Sequence, residues 1–575
     1  MILQALVRRY EDAGGEKLGW KKRETDFAVN IDVNGNILDI TPLEEEIEIP
    51  SGKNKDGSDN FKKAKRRKTL SLPATETRTS GILAYFLSDK AGYILGTEPK
   101  KFEAARERHR EILNGITSNA ATAIQAFFNH TPVLPQGFQI PDTKNDCVFM
   151  VNGRYAHEDA DVQAAWNHYY ISKFSGSEQI RDLITGEEDA LWRKQESISL
   201  NGVTMGKQAL VSVNSKSFSS YGQASSATEK DKKPAAQLGI KSSFAYATAL
   251  NGLLGSKQHC KSLCGDTLVY WAEGQGGGEI EAEVFSWFSD PKENDDTKIR
   301  SIITALTSGA PVNLQNCDFD KPFYLLCLSP NGGRICVRFF LRDSFGNILK
   351  SNALHYQQMD IISPSKQEKF PYTPPWMILS ETTVTKKAGD ATPLLGGQLL
   401  NAIITGSRYP MTLYNGILIR IRAGEDINKT KAAIIKAVLI RNYNEKEITA
   451  VDLNTQAGNT PYTLGRLFSV LEKLQEKAIG SATIRKRYFA TACANPASSF
   501  PIILKLSMHH ADKLDNAVFF EKLKTELLGK LVSESPFPKA LSLDDQGRFI
   551  LGYYHQTQDF YTKKQNKDTE EATNV

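Results

Sequence analysis

The chain has 575 residues, of which 40% are hydrophobic and 24% are charged, and its mean hydropathy is −0.37. These values exclude a fibrous chain, a chain disordered throughout and a minimal binding module, and the length suits about four domains and at least two. The net charge of 71 − 66 = +5 is too small to indicate a partner, so an argument for nucleic-acid binding depends on where charges cluster.

The N-terminal part predicts a helix followed by a β-hairpin. Residues 27–33 and 37–40 alternate apolar and polar side chains around Asn34-Gly35, which is a strong hairpin signal. Residues 51–70 begin with the composition of a loop, and this predicted basic loop ends in six cations: Lys62, Lys63, Lys65, Arg66, Arg67 and Lys68. Residues 53–68 carry a net charge of 8 − 2 = +6. This value exceeds the net charge of the whole chain, so the segment stands out electrostatically.

The middle of the chain indicates an α+β protein. Residues 100–128 have the apolar spacing of a helix. Strand-like segments follow at 146–152, 209–214, 267–272, 323–328 and 334–340, without a regular alternation of strand and helix. Polar loops are predicted at 223–234 and 274–278, and a proline-bearing linker at 364–375.

The chain is predicted to be helical after residue 426. Amphipathic segments recur there between proline and Asn-rich breaks, which is typical of a bundle of five or six helices. We therefore predict a mixed region over 1–425 with antiparallel sheets, a C-terminal helical bundle over 426–564, and a disordered tail over 565–575.

Cysteine usage and hydropathy indicate a cytoplasmic protein without a resident metal. The seven cysteines are scattered, and the closest pair is Cys260 and Cys264. They are interpreted as reduced thiols, while a partial metal site with His259 is the weaker alternative. The N-terminus resembles neither a signal peptide nor an anchor, and the longest apolar stretches are too short to span a membrane.

Because the catalytic motifs sought in the sequence are incomplete or missing, we predict a protein that is not an enzyme and needs no cofactor. Residues 202–207 resemble a phosphate-binding loop but have three residues between the glycines instead of four, and no Ser or Thr follows Lys207. His157-Glu158-Asp159 is better explained as a turn or helix start than as a catalytic group. Neither Gly-x-Ser-x-Gly nor His-Glu-x-x-His occurs.

Two basic segments are candidates for contact with nucleic acid. The cations at 62–68 suit phosphate contacts, and an arginine there would suit a base edge, although a solvated loop or an electrostatic tether is an alternative. The second segment, 461–487, carries a net charge of 6 − 2 = +4. Its cations are Arg466, Lys473 and Lys477, which share a predicted helix face, and Arg485, Lys486 and Arg487. An ordinary solvated face is the alternative for this segment.

Several stretches in the same order resemble the large subunit of the type I-C CRISPR interference complex, Cascade, a ribonucleoprotein of antiviral defence. The resemblance lies in residues 78–96, 183–188, 209–222, 244–254, 265–272, 328–339, 409–410, 419–422, 432–437 and 462–472. It covers most of the chain from about residue 78 to about 500, and its strength is the order of the blocks. The segment 204–209 departs from the family's pattern, which puts any family role of that turn in doubt.

The resemblance implies a non-catalytic subunit that recognises the protospacer-adjacent motif in duplex DNA, promotes strand opening to form the R-loop, and holds the displaced strand. Its implied partners are the guide-RNA complex with its backbone, guide-end and small subunits, the target DNA, and the helicase-nuclease. No membrane partner is implied.

On this basis the cations at 62–68 are assigned to duplex phosphates near the motif, with Arg66 or Arg67 as candidate base-contacting residues. Asn214, Lys216 and Ser217 are a second candidate set.

The bundle resembles the small subunit of such complexes, and its basic face would follow the displaced strand. A separately made small subunit would begin at Met411 or at a non-AUG codon such as that of Val451.

Two rival hypotheses remain open at this point. One is a structural scaffold that holds neighbouring subunits without recognising the motif. The other is an enzyme, such as a nuclease acting on guide or target.

Overall fold

The computed structural model describes the chain apart from residues 15, 54–58, 76–77, 79–80, 135–141, 175–176, 194–195, 203–207, 214–235, 264, 275–318, 333, 364–372, 482, 532–534 and 574–575. For residues 47–53, 59–62, 263, 393 and 562–573 it describes the backbone but not the side chains. The chain divides into two compact units. Unit 1 comprises Met1–Ser197 and Ala209–Leu250, and unit 2 comprises Ile198–Gln208 and Asn251–Val575.

Unit 1 combines short strands with short helices. Its strands are β1 (Trp20–Thr25), β2 (Phe27–Ile31), β3 (Ile37–Pro42), β4 (Glu44–Lys53), β5 (Asp59–Pro73), β6 (Ser88–Lys90), β7 (Asp146–Val151), β8 (Arg154–Tyr155), β9 (Gln179–Arg181) and β10 (Glu188–Ala190). Its helices are α1 (Ile2–Asp12), α2 (Ala91–Ile94), α3 (Pro99–Ile112), α4 (Asn119–Phe128) and α5 (Ala160–Ser172), and the unit boundary falls within α6 (Ile240–Gly255).

The larger sheet of unit 1 is mixed. Its strands lie in the order β3–β2–β7–β6, with β8 also paired to β7. The β2–β7 pair is parallel and the remaining pairs are antiparallel. Aromatic side chains of α4, α5 and β7, such as Phe127, Trp166 and Phe149, form its core with the sheet. The predicted helix and the hairpin around Asn34-Gly35 are both confirmed.

Three sequence predictions for unit 1 are wrong. One is the strand predicted at 209–214, because its described residues, 209–213, form no strand. The single helix over 100–128 is two helices, α3 and α4, because Asn114-Gly115 interrupts it and Gly115 adopts a φ of +77°. The basic loop over 51–70 is a strand from residue 59 onward, with 51–53 in the preceding strand. Lys and Arg favour strands weakly, but the acidic β4 lies opposite this segment, and cross-strand pairs of opposite charge stabilise a sheet.

Unit 2 contains a sheet and a large set of helices. Its strands are β11 (Cys260–Leu263), β12 (Asp266–Ala272), β13 (Pro322–Asn331) and β14 (Arg334–Ser344). Its helices are α7 (Phe345–Met359), α8 (Pro375–Ser380), α9 (Pro393–Thr405), α10 (Met411–Arg422), α11 (Lys429–Tyr443), α12 (Thr460–Ile479), α13 (Thr483–Ala494), α14 (Pro496–Ala511), α15 (Val518–Gly529) and α16 (Leu543–Thr573).

One core joins the sheet of unit 2 to its helices. The strands pair antiparallel in the order β11–β12–β13–β14. Buried side chains of β13, α9, α12 and α16, including Phe323, Leu399, Leu467 and Phe549, belong to a single cluster. The α+β prediction is confirmed, with strands in the first part of the chain and helices after residue 426.

The predicted boundary at residue 425 does not coincide with the division between the two units. Helices on both sides of it, such as α9 and α12, contribute to the same core. The predicted linker lies largely outside the described residues, which resume at 373. At the C-terminus, α16 continues to Thr573, where the sequence predicts a disordered tail.

Helices α12 and α16 pack backbone against backbone. A Cβ atom added at Gly465 would overlap the carbonyl oxygen of Phe549, and one added at Gly552 would overlap the carbonyl oxygen of Tyr462. Only glycine allows this approach. The crossing therefore fixes which residues of the two helices face each other.

Buried hydrogen bonds follow the same crossing. Tyr462 Oη lies 2.9 Å from His555 Nδ1, and Ser469 Oγ lies 2.8 Å from Thr557 Oγ1. Residue numbers rise together along both helices, so α12 and α16 run in the same direction. Desolvation lowers the pKa of His555 to about 3, so this imidazole is neutral when it forms the hydrogen bond with Tyr462.

The crossing predicts a large effect for a small substitution. Gly465→Ala should destabilise the chain by about 3 kcal/mol because the helices must separate to admit the methyl group. Thermal unfolding of the full chain measures the change. Gly252→Ala is the matched control, since Gly252 lies in α6 and an added Cβ there meets no atom within 4 Å. That control should gain up to about 1 kcal/mol, and equal melting temperatures for the two variants would contradict the proposed crossing.

Candidate nucleic-acid interface

The first candidate surface is a two-stranded ribbon of opposite charges. We call residues 62–68 of β5 the basic strand, and Glu44–Lys53 with residues 59–67 the β4–β5 ribbon. Four glutamates of β4 lie opposite four cations of β5, in the pairs Glu44–Arg67, Glu45–Arg66, Glu46–Lys65 and Glu48–Lys63. Strand β1 pairs only with residues 68–73 of β5. Among the described strands, β4 alone pairs with residues 59–67, so this part of the sheet is only two strands wide.

Lysines of the basic strand form diagonal ion pairs with β4. Lys65 Nζ lies 2.7 Å from a carboxylate oxygen of Glu44, and Lys63 Nζ lies 3.3 Å from one of Glu46. The hydrogen bond from Lys65 to Glu44 raises the pKa of Lys65 above its ordinary value. Both lysine side chains remain more than 70% exposed, so water and salt compete strongly for these pairs.

The two arginines of the basic strand contact carboxylates outside β4. Arg67 lies 3.2 Å from Glu24 and 3.3 Å from Asp26, and Arg66 lies 3.5 Å from Glu24. Asp26 also accepts a hydrogen bond of 2.8 Å from the backbone N–H of Asp146, which fixes it against β7. About half of each arginine side chain is still exposed, 52% for Arg66 and 53% for Arg67.

Lys68 differs from the other cations of the basic strand. Its Nζ lies 5.3 Å from the centre of the Tyr155 ring and 3.4 Å from the Tyr155 hydroxyl. Leu70 and Leu72, which alternate with it along β5, are buried. Lys68 is half-buried, so it lies at the edge of the packed face rather than with the exposed cations.

Carboxylates lower the net charge of the ribbon well below the +6 that residues 53–68 carry. Residues 44–68 contain eight cations and six acidic residues, so their net charge is 8 − 6 = +2. The acidic partners Glu24, Asp26, Glu44 and Glu46 are not among the site residues predicted from the sequence. The signal was present, because the acidic run at 44–48 precedes a basic run of similar length, and opposite charges in consecutive strands favour pairing.

Some predicted site residues lie outside the described part of the chain. Asn214, Lys216 and Ser217 belong to this group, as do residues 203–207 of the loop that resembles a phosphate-binding motif. The backbone of Lys62 lies in β5, but its side chain is not described. The roles predicted for these residues stay predictions.

The second candidate surface is the corner between α12 and α13. Gln475, which is 4% exposed, donates to Thr483 Oγ1 at 3.1 Å and accepts from the backbone N–H of Ile484 at 2.8 Å. Gly480 ends α12 in the left-handed conformation with a φ of 70°, which a residue with a side chain adopts at a cost. These contacts fix the start of α13 against the end of α12.

The exposed cations of this corner are Lys477, Lys486 and Arg487. Within the described part of the chain, none of the three forms an ion pair. These three cations differ from those of the basic strand. A phosphate that binds them does not have to displace a carboxylate of the same chain, whereas a phosphate that binds the basic strand does. Each such contact releases counterions, which is the main source of salt-dependent affinity for nucleic acid.

The surface position predicted for Arg466 is wrong. The residue is 1% exposed and lies between α12 and α16, where its Nε donates to Gln556 Oε1 at 3.1 Å. Desolvation lowers the pKa of Arg466 from its ordinary value. The spacing of Arg466, Lys473 and Lys477 suits one face, but the glycine crossing brings α16 over the first of them.

Lys473 and Arg485 occupy an intermediate position. Lys473, 21% exposed, lies 2.7 Å from Glu476, and its Nζ is 5.3 Å from the centre of the Tyr561 ring. Arg485, 26% exposed, lies 3.3 Å from Asp426. Arg485 also lies 5.6 Å from the centre of the Tyr553 ring on α16. Both side chains therefore contact α16 while retaining part of their exposed surface.

Elsewhere the structure gives local roles to the residues that looked reactive. His157 is buried in a 3-10 helix, Ala156–Glu158, and desolvation lowers its pKa to about 4. Asp159 caps α5 by accepting from the backbone N–H of Asp161 and Val162. The interpretation of 157–159 as a helix start is confirmed at Asp159, whereas the turn at His157 is buried and not solvated. The described residues contain no group of three or more His, Cys, Asp or Glu that could hold a metal ion.

The segment 78–96, which carries part of the resemblance, is built around a partly buried ion pair. Arg78 Nη2 lies 2.5 Å from Asp89, and the guanidinium lies 3.8 Å from the centre of the Tyr85 ring and 4.1 Å from that of Tyr93. Burial raises the pKa of Asp89, and Arg78 opposes that rise. The cation is thus held between two aromatic rings and a carboxylate that are all inside unit 1.

Comparison with known protein families decides the identity of the chain. A sequence model of the family described as CRISPR-associated protein (Cas_Csd1) matches residues 4–561. The chain belongs to this family. Its members are large subunits of Cascade, so the resemblance seen in the sequence is confirmed at that level. No curated protein matches the chain. In the part of this Cascade subunit that the structure describes, no helix is long and apolar enough to cross a membrane.

The different settings of Arg466 and Lys477 predict opposite effects. Arg466→Ala should lower stability by about 3 kcal/mol, because it leaves a cavity between α12 and α16, without changing the salt dependence of single-stranded DNA binding. Lys477→Ala should leave the melting temperature unchanged and reduce the slope of log K against log salt by about 0.7. Thermal unfolding and fluorescence anisotropy of the full chain measure both. If Arg466→Ala flattened the slope of log K against log salt without lowering stability, this would contradict the buried position of Arg466.

Proposed function

We propose that this Cascade large subunit is a non-catalytic component of a cytoplasmic type I-C complex. In this proposal it recognises the protospacer-adjacent motif in duplex DNA, promotes R-loop formation, holds the displaced strand and allows the helicase-nuclease to be recruited. Its partners are the guide RNA with the backbone, guide-end and small subunits of the complex. The observation that carries the proposal is the exposed, arginine-bearing β4–β5 ribbon in a chain of this family.

The ribbon suits duplex DNA on geometric grounds. The major groove of B-DNA is about 12 Å wide and admits a two-stranded β-ribbon. Lys63, Lys65 and Arg67 alternate along the basic strand and so share one face. Arg66 and Arg67 present guanidinium groups, which match the paired acceptors of a guanine edge. These features support motif recognition by the ribbon together with phosphate contacts beside it.

The carboxylates of the ribbon give the proposal a further physical element. A phosphate that approaches the basic strand must replace Glu24, Asp26, Glu44 or Glu46 as the partner of a cation. Non-specific contacts gain little from this exchange, since one anion replaces another. A duplex that also offers base-edge contacts gains more, so the carboxylates favour discrimination over indiscriminate affinity.

The second part of the proposal concerns the displaced strand. The unpaired cations at the α12–α13 corner suit a single strand bound by its backbone without sequence preference. A separately made small subunit remains part of this hypothesis. A start at Met411 would retain α10 and α11, whereas a start at Val451 would remove both. Since α11 contributes ten buried residues and packs in the same core as α16, the longer fragment retains more of the core.

A scaffold without motif recognition is the second candidate function. It is favoured by the pairing of the described cations at 63–68, each of which has a carboxylate or an aromatic partner within the chain. Such pairing would also suit a strand whose role is to stabilise the fold.

The central test changes Lys65, Arg66, Arg67 and Lys68 together to alanine. The assembled complex is compared with wild type on duplexes with and without the correct adjacent motif, at two salt concentrations. We expect the variant to lose discrimination between the two duplexes, because the arginines that contact base edges are gone. An equal loss of affinity for both with a flatter salt slope would limit the strand to phosphate contacts. Unchanged binding with impaired assembly would support the scaffold.

The carboxylate exchange predicts a gain of affinity from a loss of charge. Glu44→Gln should raise the affinity of the assembled complex for duplexes lacking the motif several-fold and steepen the salt slope by up to about 0.9, because Lys65 is freed for a phosphate. Electrophoretic mobility shift over a salt series measures both. Glu45→Gln is the matched control: it removes the same charge from the same strand, and Glu45 forms no ion pair among the described residues. If both variants gained the same affinity, the effect would come from the overall charge of the strand and not from the release of Lys65.

A further inference from the structure

Two aromatic rings lie exposed on α15 and α16 of unit 2. Phe519 on α15 is 52% exposed and Tyr561 on α16 is 46% exposed. The ring centre of Phe560 lies 6.4 Å from that of Phe519, and Phe560 directly precedes Tyr561 in the chain. Phe520 packs against Phe560 at the same distance of 6.4 Å. Phe519 is thus the exposed member of a packed aromatic cluster, and Tyr561 is the next residue after one member of that cluster.

Cations surround this cluster. Lys473 Nζ lies 5.3 Å from the centre of the Tyr561 ring, and the exposed Lys477 follows one turn later on α12. On α15, the exposed Lys522 lies three residues after Phe519, so both share one side of the helix. Lys477 and Lys522 form no ion pair among the described residues, while Glu476 pairs with Lys473 at 2.7 Å. Lys522 therefore lies on the same side of α15 as Phe519, and Lys477 lies one turn beyond the lysine that contacts Tyr561.

The packing of unit 2 holds these groups in place. The glycine crossing and the Ser469–Thr557 hydrogen bond set the register of α12 against α16, which brings Lys473 to Tyr561. Leu527, fully buried, anchors α15 in the core of the unit. The rings need no rearrangement to become accessible, so a ligand that stacks on them loses little free energy to ordering.

We propose that Phe519 and Tyr561, with Lys477 and Lys522, form a binding site for single-stranded nucleic acid in which bases stack on the rings and the lysines contact phosphates. Surfaces that bind single strands without sequence preference combine aromatic side chains with cations in this way. The site deepens the displaced-strand part of the proposed function and rests on it. It adds base stacking on aromatic rings to the phosphate contacts that the sequence predicted for the cations of α12.

The test uses the full chain and a fluorescent 15-nucleotide single-stranded DNA of mixed sequence. Phe519→Leu combined with Tyr561→Leu keeps apolar volume but removes the rings, and it should weaken binding about tenfold with an unchanged salt slope. Lys477→Gln combined with Lys522→Gln should weaken binding and flatten the slope. Ile502→Ala is the control, since Ile502 on α14 is 48% exposed and carries no ring. It should bind as wild type does.

Three outcomes separate this inference from the proposed function. Wild-type affinity in the double-leucine variant, with correct folding shown by circular dichroism, would overturn the stacking site while leaving motif recognition intact. Failure of that variant to assemble with neighbouring subunits, at unchanged DNA affinity, would overturn it in favour of a protein-docking surface. Wild-type chain that recognises the motif in the complex but binds no single strand would overturn both the site and the displaced-strand role. Photo-crosslinking of 5-iododeoxyuridine to Tyr561 or Phe519 would support the site directly.

Discussion

The backbone contact between α12 and α16 is the constraint on which the C-terminal helices depend. Two glycines, Gly465 and Gly552, let these helices approach more closely than any side chain would permit. This approach buries Arg466, aligns Ser469 with Thr557 and places Lys473 beside Tyr561. A single geometric condition thus determines which cations of α12 become structural and which remain on the surface.

Opposite charges play the corresponding role in the N-terminal unit. The basic strand would be a poor strand alone, since adjacent lysines and arginines repel one another. Glutamates of β4 opposite it convert that repulsion into attraction and give the ribbon a regular register. The same glutamates then compete with phosphates for the cations. The interaction that forms the ribbon therefore also limits how tightly it can hold an arbitrary polyanion.

The two candidate surfaces differ in the state of their cations, and this difference matches the two parts of the proposed function. Motif recognition requires rejection of most duplex sequences, so cations already paired with carboxylates suit it. Retention of a displaced strand requires no sequence preference, and it suits the unpaired Lys477, Lys486 and Arg487 together with exposed rings. Family membership gives the setting in which both surfaces would act, because the chain is a large subunit of a Cascade complex.

The sequence by itself determined the α+β class, the first hairpin, most helices after residue 426, and the family, because local periodicity and ordered blocks of residues are visible without a structure. Tertiary structure decided which charges are available. A basic run looks like a loop until Glu44 and Glu46 lie beside it, and Arg466 looks exposed until α16 covers it. Helical spacing assigns residues to a face, but only packing between distant segments determines whether solvent or protein lies against that face.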